Sequence, residues 1–78
     1  MSFFTSSTIF STHEQIKEAL YKIQSLDSKE REIVYQTLLA KLGDGGVTAE
    51  ELKKVANELR QSGQISEIDK KNLLALIK

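Results

Sequence analysis

The spacing of apolar residues along the chain predicts helices. Three segments place apolar side chains at positions i, i+3, i+4 and i+7, so each forms one stripe on a helix surface. The stripes consist of Ile16, Ala19, Leu20 and Ile23; then Val34, Tyr35, Leu38, Leu39 and Leu42; then Leu52, Val55, Ala56 and Leu59. A fourth apolar segment lies at Leu73, Leu74, Leu76 and Ile77. No alternating β-branched run of strand length is present, so no sheet is predicted.

Helix starts and stops are marked by capping residues. Ser11 with Glu14, Asp27 with Glu30, and Thr48 with Glu51 have the spacing of a capping box, in which each side chain bonds the other residue's backbone N–H. Val47 can pack on Leu52 as a hydrophobic staple, and Ser66 can cap the last helix. Gly43 and Gly63 are placed to end helices. These signals predict helices over about 12–25, from Asp27 to Gly43, over about 49–61, and from Ser66 to about Lys78.

The first ten residues, MSFFTSSTIF, contain no charge and show no helical period. We therefore expect a flexible tail over residues 1–10 and a single helical domain over residues 11–78. Short connections between helices favour a compact four-helix bundle or paired helical hairpins, an all-α fold. A chain of 78 residues has room for one core only, and such a core supplies about 3–5 kcal/mol of net stability.

The charge balance bears on partners. Eleven basic residues balance eleven acidic ones, so the chain lacks the overall positive charge of most nucleic-acid-binding domains. No apolar run approaches the roughly 20 residues needed to span a bilayer. We expect no membrane span, and the charge balance argues against a nucleic-acid partner. The absence of Cys and of a positively charged secretory start favours a cytoplasmic location.

The sequence lacks the combination of residues that a catalytic site needs. The single histidine, His13, falls in the first turn of a predicted helix, where we expect it in solvent. Glu50, Glu51 and Glu58 alternate with lysines, as on a solvated helix face. The sequence therefore predicts a protein that is not an enzyme and carries no cofactor.

The segment Gly43 to Leu52, GDGGVTAEEL, resembles the second half of an EF-hand calcium loop. In that register Asp44 is the fifth loop position, Gly46 offers the carbonyl at the seventh and Glu51 is the twelfth. The first and third positions fall on Ala40 and Leu42, which cannot coordinate calcium. The helix, Asp-Gly-x-Val and acidic helix start also resemble the tellurite-resistance TerB-like helical proteins. Both resemblances cover about residues 31–65 and imply a helix–loop–helix more than a metal site, with Asp44, Gly46 and Glu51 as weak metal candidates. A degenerate, calcium-responsive EF-hand-like regulatory module is one alternative function.

A second alternative is a helix-turn-helix DNA-binding protein, because the third helix, Gly63 and the fourth helix could form such a motif. Lys70, Lys71 and Asn72 could contact phosphate, but the second half of the fourth helix is apolar rather than basic.

The main hypothesis is a small non-enzymatic helical module that binds another protein or a second copy of itself. The apolar tail residues Phe3, Phe4 and Phe10, together with Leu73 and Leu74 on the fourth helix, are the expected contact residues. Since Leu73 and Leu74 lie about 100° apart around a helix, one of them should face away from the core unless the tail covers it.

Overall fold

The computed structural model describes residues 8–43 and 45–77. Six elements follow one another along this part of the chain: β1 Thr8–Phe10, α1 His13–Tyr21, α2 Ser28–Leu42, β2 Val47–Thr48, α3 Ala49–Gln61 and α4 Glu67–Leu74. The predicted class, four helices in a small globular unit, is confirmed.

The prediction that no strand forms is wrong. β1 pairs with β2 in an antiparallel two-stranded sheet, with Thr8 opposite Thr48 and Phe10 opposite Val47. The expected flexible tail over residues 1–10 is therefore too long, because its last three residues form a strand and Phe10 is buried. The pairing partner lies almost 40 residues further along the chain, so local pattern carries no signal for it.

Capping residues set the helix starts. Asp27 with Glu30 and Thr48 with Glu51 form capping boxes as predicted, and α3 has the predicted bounds. The first helix is different: Thr12, not Ser11, is its N-cap and accepts a hydrogen bond from the Gln15 backbone N–H at 3.2 Å. Gln15 in turn accepts a hydrogen bond from the Ser11 N–H at 2.6 Å. The pairing is thus shifted by one residue from the Ser11–Glu14 pair expected from sequence.

The buried apolar residues form one cluster to which all four helices and both strands contribute. Val34, Leu38, Leu52 and Leu73 are among its fully buried members. Val47 and Leu52 are both fully buried in this cluster, as a staple at the start of α3 requires. Ile23 and Leu26, in the connection between α1 and α2, are buried too, although α1 ends at Tyr21 rather than near residue 25.

The chain contains the same arrangement twice. Each half has a strand, a helix capped by threonine, a turn, and a second helix with a capping box. Equivalent positions are Thr12 and Thr48, Ile16 and Leu52, Leu20 and Ala56, Asp27 and Ser66, Glu30 and Asp69, and Val34 and Leu73. Since β1 and β2 pair antiparallel, the two halves face each other across the sheet. α1 packs on α2, α3 packs on α4, and α2 joins the two pairs by packing on α3.

Candidate protein-interaction surface

A groove lies between α1 and α2 on the outside of the molecule. Its volume is about 310 Å³, and Tyr21 and Tyr35 contribute aromatic rings to its lining. Lys17 and Glu32 place opposite charges at its edges. Tyr21 is 77% exposed, the most exposed large hydrophobic side chain in the part of the chain that the structure describes. We call this feature, formed by Lys17, Tyr21, Arg31, Glu32 and Tyr35, the tyrosine groove.

Arg31 fixes one wall of the tyrosine groove. Its guanidinium donates hydrogen bonds to the carbonyl oxygens of Leu26 at 2.8 Å, Leu20 at 3.3 Å and Ile23 at 3.4 Å. These carbonyls belong to the end of α1 and to the turn after it. Those of Leu20 and Ile23 also accept backbone N–H groups, from Ile23 at 3.1 Å and from Leu26 at 3.3 Å. The same guanidinium carbon lies 5.6 Å from the centre of the Tyr21 ring, within the range of a cation–π contact. An exposed tyrosine is thus placed against a cation that is itself held by the backbone.

Sequence reasoning missed this site. The apolar stripe of α1 contains Ile16 and Leu20 but not Tyr21, which lies on the side of the helix turned to solvent. A tyrosine outside the stripe of an amphipathic helix was the available signal. No local signal pointed to Arg31, because its three acceptors lie five to eleven residues earlier in the chain.

The structure describes only some of the contact residues expected from sequence, and these differ in burial. Phe3 and Phe4 lie outside the described residues. Phe10 is only 6% exposed and Leu73 is fully buried, so both belong to the core and neither is accessible in the folded chain. Leu74 is half-buried and packs against the same core. The expectation that one of the two leucines turns away from the core is met only in part, because Leu74 is half-exposed without leaving it.

Two of the three calcium-loop candidates, Gly46 and Glu51, have hydrogen-bond partners within the protein. Asp44 lies outside the described residues. The Glu51 carboxylate accepts a hydrogen bond from the Thr48 N–H at 3.0 Å, which closes the capping box of α3. The Gly46 N–H donates to the Leu42 carbonyl at 2.8 Å. Over residues 8–43 and 45–77, no group of three or more His, Asp and Glu side chains is placed to hold a metal ion.

One of the three residues named for the helix-turn-helix alternative, Asn72, makes a side-chain hydrogen bond within the protein. Asn72 donates a hydrogen bond to the Ser25 hydroxyl at 2.9 Å, which joins α4 to the turn between α1 and α2. Arg60 and Glu67 form an exposed ion pair at 3.0 Å between α3 and α4. Lys70 is half-buried and Lys71 is exposed.

His13 is exposed in the first turn of α1.

Asp69 is the one buried charged side chain of the described residues, with 1% exposure. Its Oδ2 accepts a hydrogen bond from the Ser66 N–H at 3.1 Å, whereas Oδ1 has no partner within hydrogen-bond distance. Burial raises the pKa of the Asp69 carboxyl, but the nearby Ser25 hydroxyl and both the N–H and the hydroxyl of Ser66 lower it by more. The net pKa is below the ordinary value. Asp69 is therefore a carboxylate in the folded protein, and it closes the capping box of α4 with Ser66.

No protein family, no curated protein and no solved structure shows a detectable similarity to this chain. None of the helices in the described part of the chain is long and apolar enough to cross a membrane.

Proposed function

We propose that this chain is a small helical protein–protein interaction module that binds a protein partner through the tyrosine groove. The observation that carries the proposal is the position of Tyr21, a large aromatic side chain left 77% exposed beside a groove of about 310 Å³. Tyrosine is enriched among the residues that dominate binding energy at interfaces, since its ring is apolar and its hydroxyl is polar. A cytoplasmic setting belongs to the same proposal and rests on the composition of the sequence.

Preorganisation of the Tyr21 side chain supports the proposal that the tyrosine groove binds a partner. A side chain that must be ordered on binding costs roughly 0.5–1.5 kcal/mol in lost rotamer freedom. The contact between Tyr21 and Arg31 reduces this cost, because the guanidinium is already fixed by three backbone carbonyls. Tyr35, which lies on α2 one turn after Arg31, packs against the core and gives the groove a second aromatic surface that does not need to be ordered.

The charges around the tyrosine groove suit a polypeptide partner. Lys17 and Glu32 lie at its edges with opposite signs, as in the polar rim that surrounds the apolar centre of an interface. Such a rim selects a partner by charge pattern and adds little to affinity.

The test uses a substitution that the chain itself suggests. The position of Tyr21 in the first half is occupied by the exposed Asn57 in the second half. Tyr21→Asn should therefore preserve the helical circular dichroism spectrum while it removes the ring. Ile68→Asn is the matched control, because Ile68 is 58% exposed and lies on α4, outside the groove.

Both variants and the wild type would be used as bait in lysate of the native host, with quantitative mass spectrometry, and their self-association measured by light scattering. A hot-spot residue is worth at least about 2 kcal/mol, which corresponds to more than tenfold loss of the bound partner. We expect this loss for Tyr21→Asn and none for Ile68→Asn. Equal capture by wild type and Tyr21→Asn, together with equal self-association, would contradict the proposal.

A further inference from the structure

The last helix is shorter than its equivalent in the first half. α2 runs for 15 residues, whereas α4, its equivalent, runs for 8 and ends at Leu74. The chain then tightens into a turn, in which the Leu76 N–H donates to Leu73 and the Ile77 N–H donates to Leu74, both at 3.1 Å. Leu74, Leu76 and Ile77 pack against the core but remain half-buried. We call these three residues the α4 end.

The equivalent place in the first half is covered. Leu38 corresponds to Ile77 in the repeat, and Leu38 is fully buried while Ile77 is half-exposed. After Leu38, the last turn of α2 continues through Leu42, which packs against the core before the chain turns into β2. The last turn of α2 therefore packs against the core one turn beyond Leu38, at the place that corresponds to the α4 end.

Topology indicates which segment belongs at the α4 end. The residues that cover the first half are those that lead directly into β2. The residues that lead directly into β1 are Met1–Ser7, since β1 begins at Thr8. The two strands are neighbours in one antiparallel pair, so the start of β1 and the start of β2 are equivalent points of the two halves. Thr8 is held in position by its hydroxyl, which donates to the Gly45 carbonyl at 3.3 Å.

We propose that the α4 end is the docking site of the chain's own N-terminal segment, Met1–Ser7, which covers Leu74, Leu76 and Ile77 with Phe3 and Phe4. This inference does not depend on the tyrosine groove. Seven residues reach up to about 23 Å from Thr8, and the whole described molecule measures 23 by 20 Å across its shorter axes. The segment MSFFTSS carries no charged side chain, so its burial against leucine and isoleucine desolvates no charged side chain.

The first experiment detects the contact in the unmodified protein. Nuclear Overhauser effects would be measured between the ring protons of Phe3 and Phe4 and the methyl groups of Leu74, Leu76 and Ile77. We expect these cross-peaks, and we expect them to persist on dilution. Cross-peaks from the Phe3 and Phe4 rings to the Tyr21 and Tyr35 rings instead, or none to the α4 end, would overturn the proposal.

A mixed sample distinguishes the chain's own segment from that of a second copy. Isotope-filtered spectra of labelled and unlabelled protein report contacts between molecules only. If the cross-peaks to the α4 end appear in the filtered spectrum, the occupant belongs to another copy and the proposal is wrong.

A pair of variants provides the second measurement. Phe3→Ser with Phe4→Ser should shift the amide resonances of Leu74 to Ile77 and increase the fluorescence of a dye that binds exposed apolar surface. Ser6→Ala with Ser7→Ala is the matched control in the same segment and should leave both unchanged. Unchanged α4-end resonances in the double phenylalanine variant would contradict the docking, whether or not the tyrosine groove binds a partner.

Discussion

The contact between β1 and the α2–α3 connection can be tested with three glycines of the same chain. Gly46 has a φ of +78°, and a methyl group on it would lie 2.5 Å from the Phe10 carbonyl oxygen and 2.8 Å from Thr8 Cγ2. Gly63 has a similar φ of +80°, but a methyl group there would meet nothing within 4 Å. Gly45 has neither the positive φ nor a neighbour within 4 Å. Comparing alanine substitutions at the three positions therefore separates the cost of backbone strain from the cost of a steric collision.

The expected losses in the free energy of unfolding follow from these differences in φ and in steric contacts. Alanine in the left-handed region costs about 1–2 kcal/mol, which is the whole effect expected for Gly63→Ala. In Gly46→Ala the methyl group also collides with β1. Ordinary contact begins near 3.4 Å, so β1 must move by about 0.9 Å. Overpacking of this kind adds about 1–3 kcal/mol, and a total of about 2–5 kcal/mol approaches the whole stability of a domain this small. Gly45→Ala should change the free energy of unfolding by less than about 0.5 kcal/mol.

Urea unfolding of the three variants, followed by circular dichroism at 222 nm, measures these free energies directly. The expected order of destabilisation is Gly46→Ala, then Gly63→Ala, then Gly45→Ala. If Gly46→Ala and Gly63→Ala cost the same, β1 does not lie against the connection. The placement of Phe10 in the core would then be wrong as well.

Three further predictions concern the core, a cap and the buried carboxylate. Leu73→Asp should unfold the protein by circular dichroism, because an unpaired carboxylate at a fully buried position costs more than the available stability. Thr48→Ala should lower the free energy of unfolding by about 0.5–2 kcal/mol in urea, since it removes the N-cap oxygen of α3. The pKa of Asp69 is lower in the folded state, so its contribution is present above the ordinary carboxyl pKa of about 4 and is lost as pH falls below that value. Urea midpoints between about pH 5 and pH 3 should therefore fall more steeply for wild type than for Asp69→Asn, and equal slopes would refute this role.

Local signals predicted the part of the fold that local interactions determine. The capping boxes at Asp27 and Thr48, the cap at Ser66 and the bounds of α3 could all be read from residues three positions apart. A cap acts within one turn of helix, so its signal is contained in the sequence around it. The shift from Ser11 to Thr12 at the start of α1 shows the limit, because both residues can cap a helix.

Non-local contacts account for what sequence did not predict. β1 has three residues and β2 has two, which is too short for an alternating pattern to stand out. Their pairing depends on Gly46, whose lack of a side chain lets the Phe10 carbonyl approach. The tyrosine groove likewise depends on a contact between two helices, α1 and α2, which no pattern within either helix specifies.

The repeat within the chain separates residues that the fold requires from residues that it does not. The turn after α3 is closed by Gly63, whose N–H donates to Arg60 at 3.1 Å. The turn after α1 contains no glycine, and Arg31 donates hydrogen bonds to three carbonyls at the end of α1 and in that turn. A structural role therefore explains the arginine at position 31, and its equivalent, Lys70, does not share that role. Tyr21 has no such reason, because the second half forms its helical pair with Asn57 at the same position. Under the proposed function a partner covers this exposed aromatic ring, so Tyr21 is the residue whose substitution should separate binding from folding.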